Sequence, residues 1–245
     1  MNLPVVFGSK VRAVGCISNR CQSRMAPHHD RAMIDTADKI GGDREMKATA
    51  LGVALACLAL PATGADRDSV NALLADNQCR DCDLAGAELA GADLRDAYLT
   101  YAVFDGANLE GADLRDAFMP FAQFSGARMR GILFDRTNAR DTVFAGADLR
   151  AASMVGVALP RATLTEADLG GADLSGAFLE GANFGNARLV GAVLREADLT
   201  GARLTGADLS EADLTGAVTQ AAGFSGAVFC RTVMPDGTLR SDGCP

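Results

Sequence analysis

GADLSGAFLE, residues 171–180, contains two copies of a five-residue unit in which Ala stands two positions before a large apolar residue. The unit continues in one register from Leu84 to Leu239, which gives 32 central positions spaced five apart. Of these, 19 are Leu, seven Phe and four Met, and only Ala139 and Thr219 depart. Ala fills 25 of the positions two residues before the central one, and Gly fills 16 of those two residues after it.

A period of five fits neither an α-helix nor a flat strand. On a helix, five residues advance about 140° beyond a full turn, so the large residues would spiral over every face. On a strand, an odd period would place them on alternate faces. A chain that turns a corner every five residues directs each large residue and each Ala inward. Gly suits the corner, because it adopts backbone angles that a Cβ disfavours.

A longer period of 20 residues indicates four units in each coil. The segment 96–102, DAYLTYA, is echoed by 116–122, DAFMPFA. Five of the seven central phenylalanines also lie at multiples of 20 from one another, so we expect them to stack along one inner edge. The 32 units then form about eight coils, a rod on the order of 38 Å long at about 4.8 Å per layer. These central phenylalanines are Phe104, Phe124, Phe144, Phe184 and Phe224.

Each end of such a rod needs a cap, because every coil contacts only its neighbours. At 66–81, the spacing of Val70, Leu73 and Leu74 predicts a short amphipathic helix over the first coil, with Asp66 or Asp68 as N-cap. At 230–245, a turn signal at 234–237 and two cysteines predict a tail stapled over the last coil. In the middle coils we expect local bulging or looser packing, where the repeat departs at Ile132, Thr137, Ala139, Thr142 and Val157.

The run of Ala-(Asp/Asn)-(Leu/Phe)-x-x units over residues 82–241 resembles the pentapeptide-repeat proteins. The lead-in at 73–84 and the ending at 229–244 are similar to the flanks of exported bacterial members. This resemblance implies an all-β fold, a right-handed quadrilateral β-helix. It implies little about activity.

The segment before the repeats is typical of an export signal. Residues 1–45 show no sustained apolar period and are interpreted as a disordered leader or the product of a mis-set start. Met46-Lys47, an apolar run at 48–60 and the small residues that follow predict a signal peptide over 46–65, with Met46 as start and cleavage after Ala65. The run is shorter than the roughly 20 residues that span a bilayer, so we expect no stable membrane insertion and a periplasmic or secreted protein. A buried helix at 48–60, or a lipoprotein anchored through Cys57, is the alternative.

Four cysteines follow the predicted signal: Cys79 and Cys82 before the repeats, and Cys230 and Cys244 at their end. An even number, paired by location in an exported chain, suggests disulfides. A zinc half-site at 79–82 is the rival hypothesis, but no His lies beyond position 29 to complete it.

The residue types disfavour catalysis. From Asp66 onward the chain has 15 Arg, no Lys, no His and 26 Asp plus Glu. It therefore lacks the usual bases and Schiff-base amines, and we expect no enzyme, no catalytic or metal residues and no cofactor. An acidic body repels nucleic acid. Carboxylates in successive layers are either a cation-binding ladder, a surface for basic partners or simply a solvated face; they are Asp93, Asp113, Asp148 and Asp168.

The candidate contact surface is aromatic. Tyr98 and Phe118 precede central residues and should point outward in adjacent coils, with Tyr101 and Phe121 stacked at the neighbouring corner. Phe178 lies in the column of Tyr98, further along the rod. Exposed aromatic residues favour a partner-binding or self-association surface. The alternative is that the cap helix or the leader covers them.

Three functions follow from these features. The first is a non-enzymatic exported scaffold that binds an unknown protein or itself. The second, implied by the family resemblance, is an acidic DNA mimic that inhibits a topoisomerase, which the export signal disfavours. The third is a cation- or glycan-binding surface.

Overall fold

The computed structural model describes residues 65–244. The predicted leader and signal peptide lie outside this range, apart from Ala65, which packs against the edge of the core. The described chain begins with α1 (Arg67–Asp76) and ends with a short hairpin of β1 (Thr232–Val233) and β2 (Leu239–Arg240). Between them, the chain forms a ladder of single parallel bridges rather than long strands. Residues 65–244 contain no candidate membrane-spanning helix.

Every bridge joins a residue to the one 20 positions further on, as in Tyr98 with Phe118 and Asp93 with Asp113. The N–H of a central residue donates to a carbonyl of the next layer, for example Leu94 to Asp113 over 2.8 Å. Corners are closed within the coil, because the N–H of Ala97 donates back to the Leu94 carbonyl over 3.2 Å. The 20-residue coil with four sides, predicted from the sequence echo, is therefore confirmed.

The corner residue, two positions after each central one, is left-handed at every step from Asp81 to Arg231. Gly111, for example, has φ +63°, and a Cβ there would meet nothing within 4 Å. The preference for Gly at this position is thus a preference for backbone freedom rather than for space, as in the third residue of type II turns.

The interior consists of the central residues and the small residues before them, nearly all buried along the rod. Three of the five phenylalanines predicted to stack do so: the Phe104 and Phe124 rings lie 4.7 Å apart, and those of Phe124 and Phe144 lie 5.2 Å apart. Phe184 and Phe224 share the column but are separated from the stack and from each other by leucines.

The predicted bulging of the middle coils is wrong. The bridges continue there without a break, and all five departing residues are fully buried. Ala139 leaves room on its side of the coil, and the flanking Phe134 and Phe144 rings meet edge to face at 5.9 Å. The hydroxyls of Thr137 and Thr142 donate to the carbonyls of Leu114 and Met119, 2.6 and 3.1 Å away. These coils stay regular because large neighbours compensate for the small side chain of Ala139 and because both buried hydroxyls are hydrogen-bonded.

Helix α1 lies at the first coil. Asp66 is its N-cap and accepts from the backbone N–H groups of Asp68 and Ser69. Leu73 is fully buried in the core and Val70 packs at its edge. Leu74, expected on the buried face, is instead 55% exposed, because only the stripe containing Val70 and Leu73 faces the coil.

At the other end, the repeat register stops one unit earlier than expected. Leu239 is 66% exposed rather than inward, and it pairs antiparallel with Val233. The cause is the turn at 234–237, where Gly237 takes φ +80° and donates its N–H to the Met234 carbonyl. The chain therefore reverses into the β1–β2 hairpin instead of completing another side.

Candidate functional site

One side of the rod carries most of its exposed large apolar residues. We call it the aromatic side. It consists of three columns of residues spaced 20 apart: the outward column of Tyr98, the column two positions further along the chain, and the adjoining corner column of Tyr101. Of the nine large apolar side chains that stand exposed in residues 65–244, six lie here. They are Tyr98, Tyr101, Phe118, Phe121, Phe178 and Val218.

The four residues predicted from the sequence come together as two stacked pairs. The rings of Tyr98 and Phe118 are 6.2 Å apart and tilted by 52°. At the corner, Tyr101 and Phe121 lie 5.0 Å apart and are nearly parallel, at 13°. Exposed fractions range from 36% for Phe121 to 60% for Tyr98, so neither the α1 helix nor any other part of 65–244 covers them.

The corner pair is held in an unfavourable backbone conformation. Tyr101 and Phe121 have φ of 59° and 63°, in the left-handed region that costs a residue with a Cβ about 1–2 kcal/mol. Stacking of two rings recovers about 0.5–1.5 kcal/mol per pair, which is less than the combined backbone cost. The same left-handed backbone occurs at thirteen other non-Gly corners from Asp81 to Arg231, and Tyr101 and Phe121 differ from those by exposing an aromatic ring.

Charged residues adjoin the aromatic rings. The Arg140 guanidinium carbon lies 5.9 Å from the centre of the Phe121 ring. Asp141 accepts from Arg140 over 3.1 Å and from Arg161 over 2.8 and 2.5 Å. The hydrogen bonds from Arg161 are the main reason that the pKa of Asp141 lies below its usual value.

A depression of about 230 Å³ opens beside these rings, between Phe118, Phe121 and Arg140. The buried Pro120 and the exposed Asn138 complete its wall. The aromatic side therefore offers an apolar recess with a cationic edge.

Two members of this surface were missed from the sequence. Val218 is 48% exposed in the Tyr98 column, a position that counting by 20 from Tyr98 could have found. The sequence does not indicate the Arg140–Asp141–Arg161 cluster, because ion pairing depends on the direction of the side chains at the corner.

The carboxylates proposed as a ladder are neutralised by arginines of the same rod. Asp93 and Asp113 each accept two bonds from the arginine two residues on. The guanidinium of Arg95 lowers the pKa of Asp93 to about 2. Asp148 pairs with Arg150, and Asp168 with Arg188. Within the described residues no group of His, Cys, Asp or Glu is arranged to hold a metal ion.

The cysteines are paired at each end of the rod. Cys79 is bonded to Cys82, and Cys230 to Cys244. Beside the second bond, the guanidinium of Arg240 lies 3.8 Å from the centre of the Phe229 ring, so the tail is attached by both a covalent and a cation–π contact.

Known proteins share the repeat of this chain. The sequence profile of the pentapeptide repeats matches the chain in eight copies, at residues 78–116, 121–154, 143–181 and 179–216. No curated protein shows significant sequence similarity. Among solved structures, the chain resembles HetL, a pentapeptide repeat protein involved in the regulation of heterocyst differentiation in the cyanobacterium Nostoc sp. strain PCC 7120. The identity is 30%, the TM-score 0.54, and the match covers 62% of this chain and 78% of HetL.

Two further structures are more distant. A pentapeptide repeat protein of the Arabidopsis thaliana thylakoid lumen is 37% identical over 37% of this chain and 63% of its own, with a TM-score of 0.36. The plasmid-mediated fluoroquinolone resistance protein QnrB1 is 22% identical over 61% of this chain and 78% of its own, with a TM-score of 0.33.

Proposed function

The chain belongs to the pentapeptide-repeat family, and from that premise we propose that it is a non-enzymatic interaction module whose aromatic side binds another protein molecule. The observation that carries this proposal is the strained, exposed Tyr101–Phe121 pair. A soluble rod gains nothing from aromatic rings in water at a corner that Gly fills more easily. Binding a partner removes these rings from water, and buried aromatic residues supply much of the affinity of protein interfaces.

A crosslinking experiment tests the proposal. Benzoylphenylalanine at Phe118 should form adducts with a protein partner in cells of the source organism. The matched control carries the same group at Arg188, which is exposed on the opposite side of the rod. Adducts should form at Phe118 only. Equal yields at the two positions, or none at either, would refute binding through the aromatic side.

A second variant separates binding from folding. Replacing Tyr101 and Phe121 with Gly relieves two left-handed corners, so the isolated rod should be at least as stable as the wild type in urea. Adduct formation at Phe118 should nevertheless fall sharply. A variant with exposed apolar residues removed elsewhere, Leu74→Ser with Val155→Ser, should retain it.

We also propose that the chain is exported, on the grounds of the signal-like segment at 46–65 and the two cystine pairs. Fractionation of a C-terminally tagged chain tests this directly. The tagged protein should be recovered outside the cytoplasm with Asp66 as its first residue. A cytoplasmic protein that retains residues 46–65 would contradict it.

An acidic DNA mimic is the alternative function, and it has less support. The chain carries a net charge of −8, but arginines pair with several of its carboxylates and interrupt the negative surface, as Arg136 does with Asp116. A mimic of the DNA backbone needs a continuous line of unpaired negative charge. The cation or glycan surface has weaker support still, because the carboxylates that would form it are already paired.

A further inference from the structure

We propose that the partner of the aromatic side is a second copy of this chain, bound antiparallel about a twofold axis at the layer of Ala158. This inference rests on the proposed function and names the molecule that the surface binds. Three columns of the aromatic side carry it: the outward column of Tyr98, the corner column of Tyr101, and the column between them that contains Pro160.

The geometry of such a pair is restrictive. When two flat sides face each other about a twofold axis perpendicular to both rods, each column of one copy meets the same column of the other in reverse order. The Tyr98 column is bridged in successive layers from Gln78 to Val218, and Ala158 is the midpoint of the seven positions from Tyr98 to Val218. An axis at Ala158 therefore overlaps these seven layers of the two rods. The column reads Tyr98, Phe118, Asn138, Ala158, Phe178, Asp198, Val218.

The axis at Ala158 determines which members of the Tyr98 column face each other. Ala158, the smallest member, faces its own copy at the axis. Tyr98 then faces Val218 of the second copy, and both are exposed apolar residues, at 60% and 48%. Asn138 faces Phe178, so the amide of one copy covers the ring of the other, and Phe118 faces Asp198.

The corner column is bulky at one end and small at the other. Tyr101 and Phe121 occupy the first layers, and Gly181, Gly201 and Ala221 occupy the last, all left-handed. Reversal about the layer of Arg161 sets Phe121 against Gly201 and Tyr101 against Ala221. The protruding rings of each copy thus meet positions of the other that have no side chain or only a methyl group, which is the shape complementarity that an interface needs.

The charges are arranged in the same way. Arg140 and Glu180 are both exposed, one layer on either side of Pro160 in a single column. In the antiparallel pair, Arg140 of each copy faces Glu180 of the other. At the axis, Arg161 is already bonded to Asp141 over 2.8 and 2.5 Å, so the two copies bring together balanced charges. Acidic rods repel each other in most orientations, and this side offers opposite charges in matching layers.

The expected affinity is modest. Six layer steps at about 4.8 Å give a contact on the order of 29 Å long, a narrow strip at the low end of the size range of stable interfaces. We therefore expect a reversible dimer with a dissociation constant in the micromolar range.

Sedimentation velocity from about 1 to about 100 µM tests the pair, because it spans the transition expected for micromolar association. Arg140→Glu places like charges opposite Glu180 twice in each dimer and should raise the dissociation constant at least about tenfold. The charge swap Arg140→Glu with Glu180→Arg should restore it to within about threefold of wild type, since opposite charges again face each other. Rescue by the swap is specific to the antiparallel register.

Covalent trapping locates the axis. Ala158→Cys should give a disulfide-linked dimer, and mass spectrometry should identify a peptide in which the substituted position of one copy is bonded to the same position of the other. Thr163→Cys, on the neighbouring side, should give no such dimer.

The outcomes separate this inference from the proposed function. A chain that stays monomeric at every concentration, while the Phe118 adducts contain a different protein, overturns the inference and leaves the proposed function standing. A dimer that tolerates Arg140→Glu and gives no disulfide through Ala158→Cys also overturns it. If the chain forms no dimer and Phe118 gives no adduct with any protein, both proposals are refuted.

Discussion

Phe124→Ala tests the interior of the coil most directly. The Phe124 ring is fully buried and lies between two others, 4.7 Å from Phe104 at 3° and 5.2 Å from Phe144 at 9°. A matched control exists in the same column: Phe184 is equally buried, and the central residues one layer away on either side of it are Leu164 and Leu204.

The two truncations should differ by the stacking energy alone. Removing a buried Phe side chain costs about 3–5 kcal/mol through lost transfer energy and the cavity left behind. Each ring pair adds about 0.5–1.5 kcal/mol beyond burial, and Phe124 makes two pairs. Phe124→Ala should therefore destabilise the rod by about 1–3 kcal/mol more than Phe184→Ala.

Urea unfolding followed by far-UV circular dichroism is the suitable assay, because the chain has no Trp. Coils contact only their neighbours, so the comparison needs equal denaturant slopes in the two variants. Equal losses in the two variants would show that stacking adds nothing to burial. Losses below about 1 kcal/mol in both would mean that these rings do not lie in a packed interior, and the inward direction of the repeat would be refuted.

Three further outcomes follow from the structure. Acidification below about pH 4 should lower the urea midpoint. Arg95 lowers the pKa of Asp93 to about 2 in the folded chain, so as the pH falls the unfolded chain takes up this proton first and is favoured. An Asp93→Asn variant should show a shallower decline of the urea midpoint with pH. Replacing Cys230 and Cys244 with Ser should make residues 231–244 sensitive to limited proteolysis while the circular dichroism of the coil persists, with a local loss of about 3 kcal/mol. Thr137→Val keeps the volume but removes the donor to the Leu114 carbonyl, and urea unfolding should show a loss of about 1 kcal/mol; an unchanged midpoint would contradict the role of that hydroxyl.

The sequence predicted the interior because burial in this fold repeats with a fixed period. Every central residue from Leu84 to Leu214 is buried, including Ala139, which breaks the pattern of size but not of register. Prediction failed where the outcome depended on contacts between segments. The partners of the Thr137 and Thr142 hydroxyls lie 23 residues away. Leu239 satisfied the period, yet the preceding turn sends it into a hairpin that no count of residues reveals.

Part of the aromatic side could be predicted from the sequence. A 20-residue period is enough to place Tyr98 over Phe118, because outward residues of successive layers share a column. It does not show how corner side chains turn, and so the bonds of Asp141 to Arg140 and Arg161 were not foreseen. The complementarity of Tyr101 with Ala221 became apparent only when the column was followed in the structure to its far end.

The position of the unusual residues in the five-residue unit explains why they bear on function. Two positions point inward and determine the fold, and the corner imposes a left-handed backbone, at which fifteen residues other than Gly are found from Asp81 to Arg231. Several of these offset the backbone cost by pairing between layers, as Arg136 does with Asp116 and Arg231 with Glu211. Tyr101 and Phe121 have only each other and the edge of Arg140, and both remain in water. Because the backbone cost exceeds what stacking of the rings returns, we expect the fold to be at least as stable without these rings, and this expectation is the reason for proposing a contact outside the single rod.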